Sequence, residues 1–275
     1  MNYAHGLNND FVLTHEVNRQ YSLMFEGSNF HNYGASLVIS VKSRREVELL
    51  LLILGAEVNV IMDEQARKLY PDVWEWLIGR TYSEVLADLK WSCREEDEVH
   101  DLIQKIPLPR TLSNSFIKLH QDEPTPEPIS QIYVHKVNKG NVLISKPYQS
   151  GNMFYFNGYQ ETLEFNIDHN SNRLEELIIF EAARQASIAS THLAGLPIEG
   201  ILVVLKTRIE YVNFVELDNP YLIRTIPVYK SRGGVCYCVY HLLQNGKSCA
   251  TGYFTALAHK TKHTYNMSRN KQRIS

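Results

Sequence analysis

A single long helix set among strands is the feature that most limits the folds open to this chain. Arg173 to Leu193 carries Leu174, Leu177, Ile178, Ala182, Ala189 and Leu193 at helical spacing, and Gly195 with Pro197 closes the run. On both sides the sequence turns to Val, Ile, Tyr and Phe broken by Gly and Asn, which is strand chemistry. Such runs are Ser130 to His135, Asn141 to Lys146 and Met153 to Ile167 before the helix, then Gly200 to Tyr211, Tyr221 to Lys230, Gly234 to Leu243 and Lys247 to Ala258 after it. Asn245-Gly246 marks a tight hairpin between the last two. One apolar helix among so many strands buries its face when the sheet curls around it. The order therefore predicts an α+β domain with the helix as the filling of a curved antiparallel sheet. Asn172, three residues before Glu175, is expected to cap the helix.

The first half differs. Five of the ten prolines lie between Ile106 and Ile129, which predicts an extended linker over 106–129. Residues 1–105 read as a mostly helical module. Its helices are Arg44 to Leu69 as one long or broken element, Asp72 to Ile78 opened by Pro71, Ser83 to Leu89, and Arg94 to Ile103. Short strands are expected at Asn9 to His15 and Ser36 to Val41. Residues 130–262 then form the helix-and-sheet domain, and 263–275, with His263, Arg269, Lys271 and Arg273, a basic tail.

Composition narrows the function classes. The 275 residues are 44% apolar with a net charge of −2, so no global field recruits nucleic acid or an anionic membrane. The longest apolar run, Leu49 to Leu54, is too short to span a bilayer, and the N-terminus shows no secretory pattern, so a cytoplasmic protein is expected. The four cysteines are read as free thiols, with Cys236 and Cys238 expected on opposite faces of a strand. No zinc-type His or Cys spacing and no phosphate-cradling glycine loop occur, so no metal or cofactor is expected.

The helix itself carries polar groups where a core helix would not. Leu177, Glu181, Gln185, Ile188 and His192 fall near one stripe, and Arg184 lies within reach of Glu181. Two readings follow: an ion pair on a solvated face, or a carboxylate in a dry concave pocket beside a cation, acting as base or orienter. Asp168-His169-Asn170-Ser171-Asn172 precedes the helix where its N-terminal dipole would favour an oxyanion, and His169 there is either an acid–base group or a turn residue. His135-Lys136, with Lys139 and Lys146, forms a modest basic group, read as solvated surface or as a contact for a phosphorylated acceptor or carrier.

Three segments together carry a resemblance. Val134-His135-Lys136 through Asn141-Val142-Leu143-Ile144, then Phe165-Asn166-Ile167-Asp168-His169, then Phe180-Glu181-Ala182-Ala183-Arg184-Gln185-Ala186 resemble, in order and spacing, the A-factor biosynthesis hotdog family over residues 130 to 260. The resemblance implies a hotdog fold, and transfer of a β-ketoacyl group from an acyl carrier protein or coenzyme A thioester to a small hydroxyl acceptor such as dihydroxyacetone phosphate, on the way to butyrolactone signals. It implies Glu181, His169 and Asp168 as catalytic groups, with Arg184, Gln185, Asn172, Arg173, His135 and Lys136 binding substrate. A hotdog dehydratase or thioesterase, and a non-catalytic acyl-binding or scaffolding protein, are the alternatives. Members commonly carry two hotdog copies and a second Asp-His pair followed by Pro-Gly. Here one copy is evident, and Asn172-Arg173 and Glu175-Glu176 stand at those places, so a homodimer is expected to complete the two-hotdog unit.

Overall fold

The computed structural model describes residues 11–13, 19–28, 36–110, 112, 126–163, 172–217, 219–230 and 233–274. The chain divides into two compact units. The first comprises Met1–Trp91, Lys105–Arg110 and Ser150–Asn152; the second comprises Ser92–Gln104, Thr111–Gln149 and Met153–Ser275.

The first unit holds a four-stranded mixed sheet of β1 (Phe11–Leu13), β2 (Tyr21–Phe25), β3 (Leu37–Val41) and β4 (Val58–Met62) in the order β1-β4-β2-β3. Strand β2 runs parallel to both β3 and β4, and β1 antiparallel to β4. Helices α1 (Arg44–Leu54), α2 (Glu64–Leu69), α3 (Pro71–Leu77) and α4 (Tyr82–Asp88) join or follow these strands. The long or broken helix expected over Arg44 to Leu69 is thus α1, a 3-10 turn over Gly55–Glu57, strand β4 and α2. Gly55, at φ 55°, ends α1, and the β-branched run Val58-Asn-Val-Ile-Met62 then enters the sheet, fully buried at Val58, Val60 and Met62. The module read as mostly helical holds its helices around a four-stranded mixed sheet, of which β1 and β3 lie in the two stretches expected as short strands. The caps are as the residues suggest: Ser43 accepts from the Glu46 amide, and Thr81 with Glu84 closes a capping box on α4.

The second unit begins with α5 (Glu96–Ile103), which the sequence grouped with the N-terminal module. It then builds β5 (Tyr148–Ser150), β6 (Met153–Gly158), the long helix α6 (Glu176–Leu193), β7 (Ile201–Tyr211), β8 (Tyr221–Val228), β9 (Gly234–Gln244), β10 (Lys247–His259) and α7 (Lys262–Ile274). The sheet order is β5-β6-β8-β9-β10-β7, and the pairs β6-β8, β8-β9, β9-β10 and β10-β7 are antiparallel. Asn245 and Gly246, both at positive φ, turn the β9-β10 hairpin. One sheet face packs on α6: Phe154, Phe156, Tyr221, Ile223, Tyr240, Leu242, Ala250 and Phe254 meet Ile178, Ile179, Ala182, Ala183, Ala186 and Ala189 in one core. The helix is small on this side, so its backbone approaches the sheet closely. Its hydroxyls are satisfied locally, Ser187, Ser190 and Thr191 each donating to the carbonyl one turn back.

Three local readings change. Residues 131–134 form a 3-10 turn rather than a strand, closed by His135 in the left-handed region at φ 57°. Asn172 does not cap α6, which starts at Glu176 after Glu175. Instead the segment before it is held extended, as the Leu217 amide donates to the Asn172 carbonyl and the Leu174 amide to that of Val215. The expected basic tail is helical from Lys262, with Thr261 accepting from the Thr264 amide and His259 packed edge-on against Tyr265.

The opposite sheet face holds a buried polar line. Arg224, 1% exposed, donates through Nε and Nη2 to Nδ1 of His241, whose Nε2 lies 2.9 Å from Ser248 Oγ. Burial, then Arg224 and His100, push the His241 pKa down to about 3, so the folded protein keeps this ring neutral while an unfolded chain protonates it near 6.5. The unfolded state therefore binds more protons between those values, and stability falls as pH drops below 6.5 by about 1.4 kcal/mol per unit from this group. We expect the difference in urea-unfolding free energy between the native chain and His241→Asn, which keeps an acceptor for Arg224 but cannot titrate, to shrink steadily from pH 7 to pH 4. A difference independent of pH would rule out this assignment.

Candidate functional site

The polar stripe on α6 converges with the turn before β5. Glu181 is 7% exposed, and Arg184 grips it as a fork, Nε to Oε2 at 2.6 Å and Nη2 to Oε1 at 2.7 Å. The Lys136 ammonium, on the turn, lies 2.9 Å from Oε1, and Gln185 Nε2 donates to the same oxygen at 3.0 Å. Of the two readings of the stripe, the buried one holds: the ion pair sits in a largely dry setting with a second cation. Burial pushes the Glu181 carboxyl up, but the hydrogen bonds from Arg184 and Lys136 outweigh it and hold the group below the usual carboxylate range. An anion bonded to four N–H donors is an anchor with little basicity left. The three charged groups together carry one excess positive charge.

Gln185, fully buried, also binds the turn that brings Lys136 here. Its Oε1 accepts from the Leu143 amide and its Nε2 donates to the Asn141 carbonyl, each at 2.8 Å. That use of both ends makes Gln185 a brace between helix and turn rather than a group open to substrate. His135 completes the arrangement. Its Nε2 lies 2.8 Å from Nε2 of His192, which is 5% exposed, and His192 Nδ1 lies 3.1 Å from the Leu196 carbonyl oxygen. The left-handed backbone at His135, rare for a residue with a Cβ, is held by its amide bonding to the Gln131 carbonyl and turns the side chain toward α6.

Beside these groups a cleft of about 490 Å³, part of it open to solvent, runs between α6 and strands β7, β9 and β10. His135 and Arg184 stand on its wall, and Ile188, Leu202, Val204, Phe254 and Ala256 make it apolar. Cys236 and Cys238 both line it. Two residues apart on one strand, they share a face, which corrects the expectation of opposite faces. Burial pushes each thiol up to about 12, so neither is a ready nucleophile.

Of the residues expected in the site, the structure brings together Glu181, Arg184, Gln185, His135 and Lys136. Asn172 and Arg173 lie on the extended segment before α6, where Arg173 forms a backbone β-bridge with Glu216 and its guanidinium lies over the Phe214 ring at 4.6 Å. Asp168 and His169 lie outside the described residues. Leu177, placed on the same stripe, is 51% exposed. The sequence reading gave His192 no role, although it lies seven residues beyond Gln185 on the polar stripe. No cluster of His, Cys, Asp and Glu suited to a metal occurs among the described residues, and none of their helices is long and apolar enough to cross a membrane.

The sequence profile of the A-factor biosynthesis hotdog domain matches residues 117–260, slightly more than half of the chain. The chain belongs to that family. The match covers the helix, the long strands and the turn bearing His135 and Lys136, so the hotdog fold that the resemblance implied holds. Among solved structures it is similar to a hypothetical thioesterase with coenzyme A from Streptococcus pneumoniae, at 19% identity over 42% of this chain and 84% of that one, TM-score 0.33. It is also similar to a thioesterase from Haemophilus influenzae at 12% identity, 42% and 78% coverage and TM-score 0.36. A third is an uncharacterized protein from Pyrococcus horikoshii at 14% identity, 47% and 92% coverage and TM-score 0.35. No curated protein matches the chain.

Proposed function

We propose that this A-factor-type hotdog protein transfers a β-ketoacyl group from a carrier-protein or coenzyme A thioester to a small hydroxylated acceptor such as dihydroxyacetone phosphate. The observation that carries the reading is an apolar cleft along the helix with the cationic end of a buried charge network on its wall. The acyl chain takes the apolar part, lined by Ile188, Leu202, Val204 and Phe254, and its thioester comes to rest near His135 and Arg184. The excess positive charge of Lys136 and Arg184 over Glu181 suits a phosphorylated acceptor. Glu181 holds both cations in place, a positioning role rather than the base role read from sequence.

A homodimer is part of this reading. Strand β7 is last in its sheet, its outer edge pairs with no strand among the described residues, and it exposes Val204 and Leu205. Val204 also lines the cleft, so a second copy on this edge would close the cleft over the acyl chain.

The test is thiol release from a β-ketoacyl coenzyme A or carrier thioester, with and without dihydroxyacetone phosphate, alongside the mass in solution. Acceptor-dependent release from a dimer is expected. Release without acceptor would replace the transferase by a thioesterase, loss of water from a β-hydroxyacyl thioester would replace it by a dehydratase, and binding without turnover would leave an acyl-binding protein. A monomer at micromolar concentration would overturn the dimer.

A further inference from the structure

We infer that His135 is the proton acceptor of this site, and that His192 is a positioning residue that fixes the tautomer of His135 and leaves its Nδ1 as the basic atom. The identity of the proton's donor rests on the acyl-transfer reading above; the histidine pair does not.

The assignment follows from which atoms can donate. A carbonyl oxygen only accepts, so the 3.1 Å contact between His192 Nδ1 and the Leu196 carbonyl requires the hydrogen on Nδ1. Nε2 of neutral His192 is then a bare lone pair. The 2.8 Å contact to His135 Nε2 requires the hydrogen on His135, so the remaining ring nitrogen of His135, Nδ1, carries the lone pair. A proton placed on His192 would set two N–H groups against each other across that contact. A proton placed on His135 Nδ1 instead strengthens the bond, because the Nε2–H then donates from a cation.

The surroundings keep the pair neutral until it is used. Desolvation of the ring, with the Arg184 guanidinium nearby, holds His135 below the ordinary histidine range. Burial does the same to His192 against the opposing pull of the Leu196 and Pro197 carbonyls. Among the described residues, the other titratable or charged groups about the pair are Glu181 on α6, Tyr133 and Lys136 on the turn, and Cys236, Tyr237 and Cys238 on β9. Glu181 is bonded to four donors, Lys136 is tied to it, and the two thiols sit near 12. His135 is the member of the pair that is exposed and stands on the cleft wall.

In the transfer step, the acceptor hydroxyl oxygen forms a bond to the thioester carbonyl carbon as its proton passes to His135 Nδ1. The tetrahedral adduct then collapses with cleavage of the C–S bond, and the imidazolium returns that proton to the leaving thiolate. An ester and a thiol result, and the ring is restored.

Nitrogen-15 NMR of the histidine rings in the full-length protein, titrated with pH, tests the pair without any substrate. We expect His192 in the Nδ1–H form and His135 in the Nε2–H form, with His135 protonating first, at Nδ1, below the ordinary 6.5. In His192→Phe, which removes the acceptor of the Nε2–H, the His135 midpoint should move further down and the preference for the Nε2–H tautomer should be lost. An Nε2–H tautomer at His192, or a His135 tautomer and midpoint both unmoved in His192→Phe, overturns the pair. For the chemistry, His135→Asn, which tolerates the left-handed backbone, should lower kcat of thiol release about 100-fold with KM little changed. The acid limb of the pH profile should follow the NMR midpoint down in His192→Phe. Full activity in His135→Asn overturns the proton-acceptor role. The expected tautomers with no thiol release from any thioester would instead refute the acyl-transfer reading and leave the pair standing.

Discussion

Glu181→Gln is expected to cost about 3 kcal/mol of stability and at least tenfold in thiol release. The glutamine has the same shape, and its oxygen still accepts one hydrogen bond, but it removes the anion that two cations share. Arg184, with 31% of its side chain exposed, can turn part of its charge to water; Lys136, with 9%, cannot. Removing one partner of a buried ion pair typically costs 3–5 kcal/mol, because the charge left behind is neither solvated nor paired. The loss of activity has the same origin. Arg184 stands on the cleft wall because the carboxylate grips its guanidinium at two points, and without that grip the cation no longer has one position. Urea unfolding and steady-state thiol release measure the two effects, and a variant unchanged in both would show that the network anchors nothing.

Gly252→Ala is expected to be worse for folding, at more than 4 kcal/mol, with little soluble protein recovered. Gly252 sits in β10 opposite Ile209 of β7 and Tyr240 of β9. Above it the Tyr240 hydroxyl crosses to donate to the Arg208 carbonyl at 3.0 Å. A methyl group on residue 252 would lie 2.0 Å from that carbonyl oxygen and 2.6 Å from the hydroxyl. The oxygen is backbone in a paired strand, so it cannot swing aside as a flexible side chain would, and relief requires breaking the β10-β7 ladder or expelling a buried tyrosine. The strand offers no positive φ at this position to explain the glycine; the crossing does. Expression level and thermal unfolding of the variant check the prediction, and a loss under 1 kcal/mol would mean that the tyrosine repacks freely. Tyr240→Phe in the same background removes the hydroxyl but not the carbonyl, so it should restore only part of the loss.

Much of the second unit was legible because periodicity there is unambiguous. The helix, its Gly195 terminus and the Asn245-Gly246 hairpin follow from residue type and spacing alone. The first unit misled where apolar residues are dense. Through Leu54 and on to Met62, three- and four-residue spacings persist across a helix, a turn and a strand, and only Gly55 and the alternating valines mark the change. Ser130 to His135 failed for another reason. Tyr133 and Val134 favour strands, but the segment pairs with no strand among the described residues and closes into a turn instead.

The site divides in the same way. The sequence by itself determined that one helix carries Glu181, Arg184 and Gln185 on adjacent turns, since spacing along a helix sets which side chains meet. It also determined that Glu181 and Arg184 would pair. Only the tertiary structure decided which other groups they meet. Lys136 and His135 lie about fifty residues before their partners, and their approach depends on a left-handed turn braced by Gln185, which no local pattern encodes. That approach turns Glu181 from a plausible base into an anchor, because basicity depends on how many donors a carboxylate already holds. It also gives His192, which looked like one polar residue on an apolar helix, a partner at hydrogen-bonding distance. Chemistry at a site belongs to contacts, and contacts between distant residues are fixed by packing.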